Sequence, residues 1–148
     1  MVEACGLAGE IDSSLQLLKC HKPYYESDHV LNIAYNALCG GQRLEDIEAR
    51  RCDAVFLDGL GVQSLPDPTT AGDFCRRFDD DAVLALQEAF NRARLNVWRS
   101  QPDAFFEVPA VIDADASLVP TDAETKQGIN IAYNGIWGYS ALLVLSEA

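Results

Sequence analysis

The sequence has few basic residues for its length. Its 148 residues include 11 Lys and Arg against 23 Asp and Glu, which gives a formal net charge of −12. A chain with this charge is repelled by phosphate backbones, so its composition alone does not favour a nucleic-acid-binding protein. The sequence also lacks an apolar run of membrane-spanning length and a basic-then-apolar leader at its start. We therefore expect no membrane partner and a cytoplasmic location.

Cysteine pairs with metal-binding or redox spacing are also absent. The sequence has five cysteines, an odd number, and none of them forms a C-x-x-C motif. We therefore expect reduced, buried thiols and neither a disulfide framework nor a zinc site. The hydrophobic fraction of 49% is sufficient for a core, and the length corresponds to one domain, or to one domain and part of a second.

A short apolar run at residues 108–117 ends in two aspartates, Asp113 and Asp115. The β-branched residues Val111 and Ile112 favour a strand that begins after Pro109. Because alternate residues of a strand share a face, we expect both carboxylates on the same side. Two like charges beside apolar neighbours repel each other, and a bound cation would relieve that repulsion. Oxygen ligands of this kind suit Mg²⁺ or Mn²⁺.

Two other interpretations of the aspartate pair remain open. Asp-x-Asp is a common sequence, and two solvated aspartates at an exposed strand end require no metal. In addition, Asp113, Asp115, Ser117 and Glu124 occupy positions 1, 3, 5 and 12 of an EF-hand calcium loop. That loop requires glycine at position 6 for its sharp turn, and this sequence has Leu118 there, which disfavours a calcium loop.

The first hundred residues have mainly helical patterns. Apolar residues at helical spacing predict a helix over residues 30–38, with Ser27 or Asp28 as its N-cap and the glycine pair 40–41 as its end. Residues 42–51 predict a second, amphipathic helix, because acidic residues lead it and arginines close it.

Two further helices are predicted before residue 102. Thr70 is a possible N-cap for a helix over residues 71–78, and the acidic triplet 79–81 predicts the start of the longest helix, which Pro102 ends. Apolar residues three or four apart predict the buried face of this longest helix: Val83, Leu86, Phe90, Ala93 and Val97.

After Pro102 the pattern becomes strand-like. We expect strands around Phe105 and Phe106, over residues 111–115, over residues 129–133 and over residues 141–145, with a glycine bend between the last two. A sheet that stopped at the last of these strands would have an open edge, so we expect the beginning of a domain, and self-association through the edge at residues 141–145.

Four stretches of the sequence together resemble the DDE transposases of bacterial insertion sequences. They are residues 24–48 (YYESDHVLNIAYNALCGGQRLEDIE), 65–78 (LPDPTTAGDFCRRF), 111–117 (VIDADAS) and 138–144 (GYSALLV). The resemblance extends over roughly residues 7 to 145, with the motifs in the expected order.

This resemblance implies an α+β fold. A helical region, about residues 1–101, would precede the first strands of an incomplete ribonuclease H-like sheet in residues 102–148. Asp115, which Ala116 and Ser117 follow, matches the first catalytic aspartate of the family best, with Asp113 as the neighbouring candidate. The family transfers phosphoryl groups with two Mg²⁺ or Mn²⁺ ions, and its DNA partner is the end of the insertion sequence.

The resemblance also implies an incomplete site. The family requires a second aspartate and a glutamate from later elements, and we expect these 148 residues not to supply them. We therefore expect an N-terminal piece of a transposase that neither cleaves nor joins DNA by itself. Two alternatives remain: an acidic, mainly helical interaction protein without enzymatic activity, and a ribonuclease H-like nuclease whose site a second chain completes.

Overall fold

The computed structural model describes residues 2–122 and 125–147, and the side chains of that last segment as far as Leu145. The chain divides into two compact units, Met1–Ser100 and Gln101–Ala148, which are described separately below. The first unit is helical and the second contains a three-stranded antiparallel sheet, so the α+β class predicted from the sequence is confirmed. None of the helices in the described residues is long and apolar enough to cross a membrane.

The described part of the first unit contains seven α-helices and one 3-10 turn. The helices are α1 (Val2–Cys5), α2 (Leu7–Ser14), α3 (Glu26–Leu38), α4 (Ile47–Arg51), α5 (Ala54–Leu60), α6 (Pro68–Cys75) and α7 (Asp80–Arg99), and the 3-10 turn (Leu44–Asp46) immediately precedes α4. The helix predicted over residues 42–51 is therefore divided between the turn and α4.

The hydrophobic core of this unit lies where α2 packs against α7. Ile11 and Leu15 are buried there against Ala89 of α7. Partly buried apolar side chains surround these three: Leu7, Leu17, Val30, Phe78, Ala82, Ala85 and Leu86. Small residues on α7 allow the two helices to approach closely, because alanine adds little bulk at the contact.

The buried face of α7 is rotated from the face that the sequence predicts. Val83, Phe90 and Val97 were expected in the core but are 44%, 43% and 40% exposed. The buried residues are Ala89 and Ala93, of which the predicted face included only Ala93. Helical periodicity identifies an apolar stripe, but α7 has two adjacent stripes, and packing against α2 selects the one with the smaller residues.

Aspartate side chains cap the N-termini of α6 and α7. The side chain of Asp79 accepts a hydrogen bond from the N–H of Ala82, so the acidic triplet does begin the longest helix, as predicted. Asp67 caps α6 by accepting from the N–H of Thr70, with Pro68 in the first turn. The prediction that Thr70 is the cap was therefore wrong, because a proline just after the cap suits the first helical position.

The start of α3 depends on buried polar side chains. Tyr25 is the N-cap residue, and Asp28 accepts a hydrogen bond from its N–H, so neither Ser27 nor Asp28 is the N-cap, as had been predicted. Glu26 is 1% exposed, and its Oε1 accepts from the N–H groups of Leu17 and Leu18. These bonds tie the segment after α2 to the first turn of α3.

Hydrogen bonds between Asp12 and Ser27 hold α2 directly to α3. Ser27 donates from its backbone N–H and from its hydroxyl to the two carboxylate oxygens of Asp12, at 2.8 and 2.9 Å. Because burial of an unpaired polar group is costly, these paired carboxylates stabilise one arrangement of α2 and α3.

The second unit begins with α8 (Ala104–Glu107) and continues with β1 (Val111–Pro120), β2 (Asn130–Ile131) and β3 (Trp137–Glu147). The strand predicted at Phe105 and Phe106 is wrong. The N–H of Phe105 donates to Pro102 and the N–H of Phe106 to Asp103, so the chain turns into a short helix directly after the proline. The strand predicted over residues 129–133 is reduced to the two residues of β2.

The sheet has the strand order β1–β3–β2, and both neighbouring pairs are antiparallel. Ten residues of β1 pair with β3, from Val111 opposite Glu147 to Pro120 opposite Gly138. Gly135 has a φ of 80° in the turn between β2 and β3, which agrees with the predicted glycine bend.

We expect Glu26→Gln to destabilise the helical unit by about 1–3 kcal/mol, because the variant weakens a buried, charge-assisted acceptor of two backbone N–H groups. Urea unfolding followed by far-ultraviolet circular dichroism measures this change. Glu45→Gln, at an exposed position, is the matched control and should leave the free energy of unfolding unchanged. Equal unfolding midpoints for the two variants would contradict the anchoring role of Glu26.

The stability of the helical unit should also depend on His29. This side chain is 3% exposed, stacks on Phe74, and its Nδ1 has no hydrogen-bond partner in the described part of the chain. Burial lowers the pKa of His29 from its ordinary value of 6.5; the carboxylates of Asp28 and Glu26 oppose this effect, and Arg77 reinforces it.

We therefore expect the free energy of unfolding to decrease as the pH falls below about 6.5, because the unfolded chain takes up the His29 proton before the folded chain does. Above that pH the contribution is fully present. Urea unfolding at a series of pH values measures this slope. His29→Phe should flatten the slope between about pH 7 and pH 5. An unchanged slope in His29→Phe would disprove the assignment.

Candidate functional site

Asp113 and Asp115 lie on β1 and face the same side of the sheet. In the antiparallel register Asp113 is opposite Leu145 and Asp115 is opposite Leu143. Since side chains alternate along a strand, the two carboxylates share their face with Ser117. The sequence prediction of a strand with both aspartates on one face is therefore confirmed.

The surroundings of the two aspartates are exposed and apolar. Both aspartates are exposed, and the opposite residues Leu143 and Leu145 are 52% and 65% exposed. The leucine side chains have no oxygen atom that could bind a metal. Of these four residues, therefore, only the two aspartates could supply metal ligands from their side chains. Residues two apart on a strand are separated by about 6.6 Å, which keeps the like charges close enough to repel each other.

This pair fits part of a metal site. Two carboxylates can hold one hard cation weakly, with water completing its coordination. A two-ion site needs further ligands, and no group of three or more His, Cys, Asp or Glu side chains that could hold a metal occurs among residues 2–122 and 125–147. The acidic residues that follow Asp115 are Asp122, which is exposed beyond the end of β1, and Glu124 and Glu147, whose side chains lie outside the described residues.

The EF-hand alternative conflicts with the backbone. A calcium loop folds its first residues around the ion with a sharp turn at position 6. Here residues 113–120, which would be positions 1–8 of that loop, are extended and paired with β3 over their whole length. The calcium-loop interpretation is therefore wrong, and its twelfth position, Glu124, lies outside the described residues.

The adjacent arginine pairs contribute little free positive charge. Arg51 forms an ion pair with Glu48 and Arg76 with Asp73, each at an exposed surface. Arg77 donates to the carbonyl of Leu17. Arg76 and Arg77 are exposed and directly follow Cys75, the last residue of α6.

A shallow pocket in the helical unit is a second polar surface. It is lined by residues 40–43 together with Asp46, Ala49 and Arg50, and its volume is about 430 Å³. The N–H groups of Gln42 and Arg43 donate to the Asp46 carboxylate and lower its pKa. Arg50 donates to the carbonyl of Cys39 at the rim. This pocket has more positive than negative side chains, but its carboxylate reduces its attraction for anions.

The thiols are free but not buried. Cys5 is half-buried, whereas Cys20, Cys39, Cys52 and Cys75 are exposed. The expectation of buried thiols was therefore wrong. Composition statistics place cysteine inside proteins. Here every thiol lies at the end of a helix or in a connecting segment: Cys5 and Cys75 end α1 and α6, Cys39 and Cys52 directly follow α3 and α4, and Cys20 lies between helices.

A comparison of the chain with protein-family models, with curated proteins and with solved structures gave no match. The functional interpretation of the aspartate pair therefore depends on the residues themselves and on their placement in the sheet.

We expect Asp113→Val to slow amide hydrogen exchange in β1 by about threefold to fivefold in metal-free buffer. The variant removes a like-charge neighbour and replaces a residue that is poor in strands with one that favours them. Asp113→Asn, which removes only the charge, should give a smaller effect in the same direction. Faster exchange in Asp113→Val would show that the carboxylate stabilises the strand, contrary to this interpretation.

Proposed function

We propose that this chain derives from a DDE transposase of a bacterial insertion sequence and that β1 is the first strand of a ribonuclease H-like catalytic sheet. The supporting observation is that Asp113 and Asp115 share one face of β1, which is paired with the next long strand, β3. This is the setting expected for the family's first catalytic aspartate. The order of the four sequence motifs that resemble the family supports the same proposal.

In this proposal Asp115 is the first metal-binding carboxylate and Asp113 assists it. Bound Mg²⁺ or Mn²⁺ would supply Lewis-acid activation of a water or of a DNA 3′-hydroxyl in the complete enzyme. The contribution of this chain is to present two negative oxygen ligands from a paired strand, which limits their freedom before an ion binds. The DNA partner of the parent enzyme would be the end of the insertion sequence.

The chain by itself should not catalyse transposition. Two carboxylates are too few to hold two metal ions, and the net charge of −12 opposes binding to a phosphate backbone. Arg51 and Arg76, which might have offset that charge locally, are already paired with Glu48 and Asp73. We therefore propose an inactive fragment of the enzyme.

The alternative is an interaction protein that has kept the helices without the chemistry. Its supporting observation is that the helical unit has its own core at α2 and α7, to which Asp113 and Asp115 do not contribute. The exposed apolar side chains of α7, including Val83, Leu84 and Phe90, would then be available to a protein partner.

Titration with Mn²⁺ tests the proposed role of the aspartates. We expect weak binding, with a Kd on the order of 1 mM, because only two protein carboxylates contribute. Asp115→Ala should abolish this binding, as measured by the electron paramagnetic resonance signal of free Mn²⁺.

Asp122→Ala is the matched control, because Asp122 is an exposed aspartate of the same unit that lies outside β1. It should leave Mn²⁺ binding unchanged. If Asp115→Ala bound Mn²⁺ as well as the unmodified chain does, the metal role of the pair would be disproved, and the interaction-protein alternative would be favoured.

A further inference from the structure

The two edges of β3 differ in how much of their length is paired. On one side β3 pairs with β1 from Gly138 to Glu147. On the other side it pairs with β2 only at Trp137 and Gly138. Within the part of the chain that the structure describes, residues 139–147 therefore present a row of unpaired backbone N–H and C=O groups on the β2 side.

Charge distinguishes this edge from the rest of the molecule. Residues 137–146 contain no charged side chain, in a chain whose net charge is −12. The outer edge of the sheet, β1, instead carries Asp113 and Asp115. Two copies of the chain repel each other over most of their surface, so a contact between copies is least unfavourable along β3.

The side chains beside the open edge favour strand pairing. Leu142, Leu143, Val144 and Leu145 are each more than half exposed, with Leu142 at 67%. A run of this kind combines high strand propensity and low charge with no proline, which is the composition that adds strands to an open edge. Natural edges are usually protected by a charge or a proline, and both are absent from residues 139–146.

We propose that a second copy of this chain pairs with the open edge of β3, antiparallel and about a two-fold axis at Leu143. Leu143 is the midpoint of the unpaired residues 139–147, so this register pairs every one of them. It places Leu142 opposite Val144 of the second copy and Ala141 opposite Leu145 of the second copy. The result is a continuous sheet in which the long strands follow the order β1–β3–β3–β1.

The register also preserves the faces of the sheet. In this register, residues that lie opposite each other have residue numbers that sum to 286, so both are odd or both are even. Their side chains therefore lie on the same face of the sheet, and the pleats of the two copies match. No pair places two like charges opposite each other, because Glu147 is the one charged residue of β3 and it lies opposite Tyr139 of the other copy. The same pairing through β1 would bring the aspartates of two copies together.

The proposed pairing of the two copies uses no residue that is a proposed metal ligand. It requires only the open edge of β3, so it remains valid if Asp115 binds no ion, and Mn²⁺ binding remains valid if the chain is monomeric. The two proposals therefore fail separately.

Sedimentation velocity of the full chain over a hundredfold concentration range tests the pairing. We expect a concentration-dependent dimer. Leu143→Lys places two lysines opposite each other at the axis and should raise the dimer Kd about tenfold or more. Leu145→Lys is the matched control, since it makes the same substitution on the same strand and face but places each lysine opposite Ala141 of the other copy. Most of the Leu145→Lys chains should therefore remain dimeric.

A charge-pair experiment makes the register specific. Leu143→Glu alone should also dimerise more weakly than the unmodified chain, whereas an equimolar mixture of Leu143→Lys and Leu143→Glu should form a heterodimer, because opposite charges then meet at the axis. Amide-exchange protection between β1 and β3 in each variant shows whether the original hairpin remains folded.

Three outcomes would overturn the proposal. The first is an unmodified chain that stays monomeric over the whole concentration range. The second is an equal loss of dimer in Leu143→Lys and Leu145→Lys, which would indicate that sheet faces stack instead of edges pairing. The third is a mixture of the two charge variants that does not associate although each variant is folded.

Discussion

The antiparallel pairing of β1 with β3 is the constraint on which both surfaces of the second unit depend. It holds Asp113 and Asp115 on one face and places Leu145 and Leu143 opposite them. The same pairing uses one edge of β3 and leaves most of the other edge open. A shift of the register by one residue would turn the aspartates to the other face, so the candidate site and the edge are specified together.

The helical unit is specified by a different kind of contact. Its apolar core is small, and the buried carboxylate of Glu26 and the partly buried carboxylate of Asp12 hold α3 to the preceding segment. Burial raises the pKa of Glu26, but backbone N–H groups and His21 lower it further than burial raises it, so the net shift is downward. An acidic residue can thus be buried as an anion in a strongly acidic chain because its partners are fixed N–H donors.

Local signals explain which elements could be predicted from the sequence. The alternation at residues 111–115 and the aspartates before α7 act within a few residues of the structure they determine, and both predictions are confirmed. The buried face of α7 depends on α2, which is distant along the chain, and it was predicted correctly only at Leu86 and Ala93. Phe105 and Phe106 have strand propensity, but the turn at Pro102 determines their conformation.

For the candidate site, too, the sequence predicted what depends on neighbouring residues and did not predict what depends on distant ones. Alternation was sufficient to place Asp113 and Asp115 on one face, but their exposure depends on what covers the sheet, which is not a local property. The cysteines were expected to be buried for a general reason, their usual location, and that expectation failed at four positions. For these residues, strand alternation, which has a geometric cause, predicted the placement better than residue frequency did.

The two proposals for the sheet compete for one edge. A strand edge can pair with only one neighbour, so a chain that dimerises along residues 139–147 cannot add a further strand of a catalytic sheet there. The long outer strand of the sheet is β1, whose face carries Asp113 and Asp115. If the outer edge of β1 received the next strand, its side chains would lie directly beside the two carboxylates. Dimerisation through β3 would thus leave the edge of β1, beside the two carboxylates, free to receive a strand from a second chain.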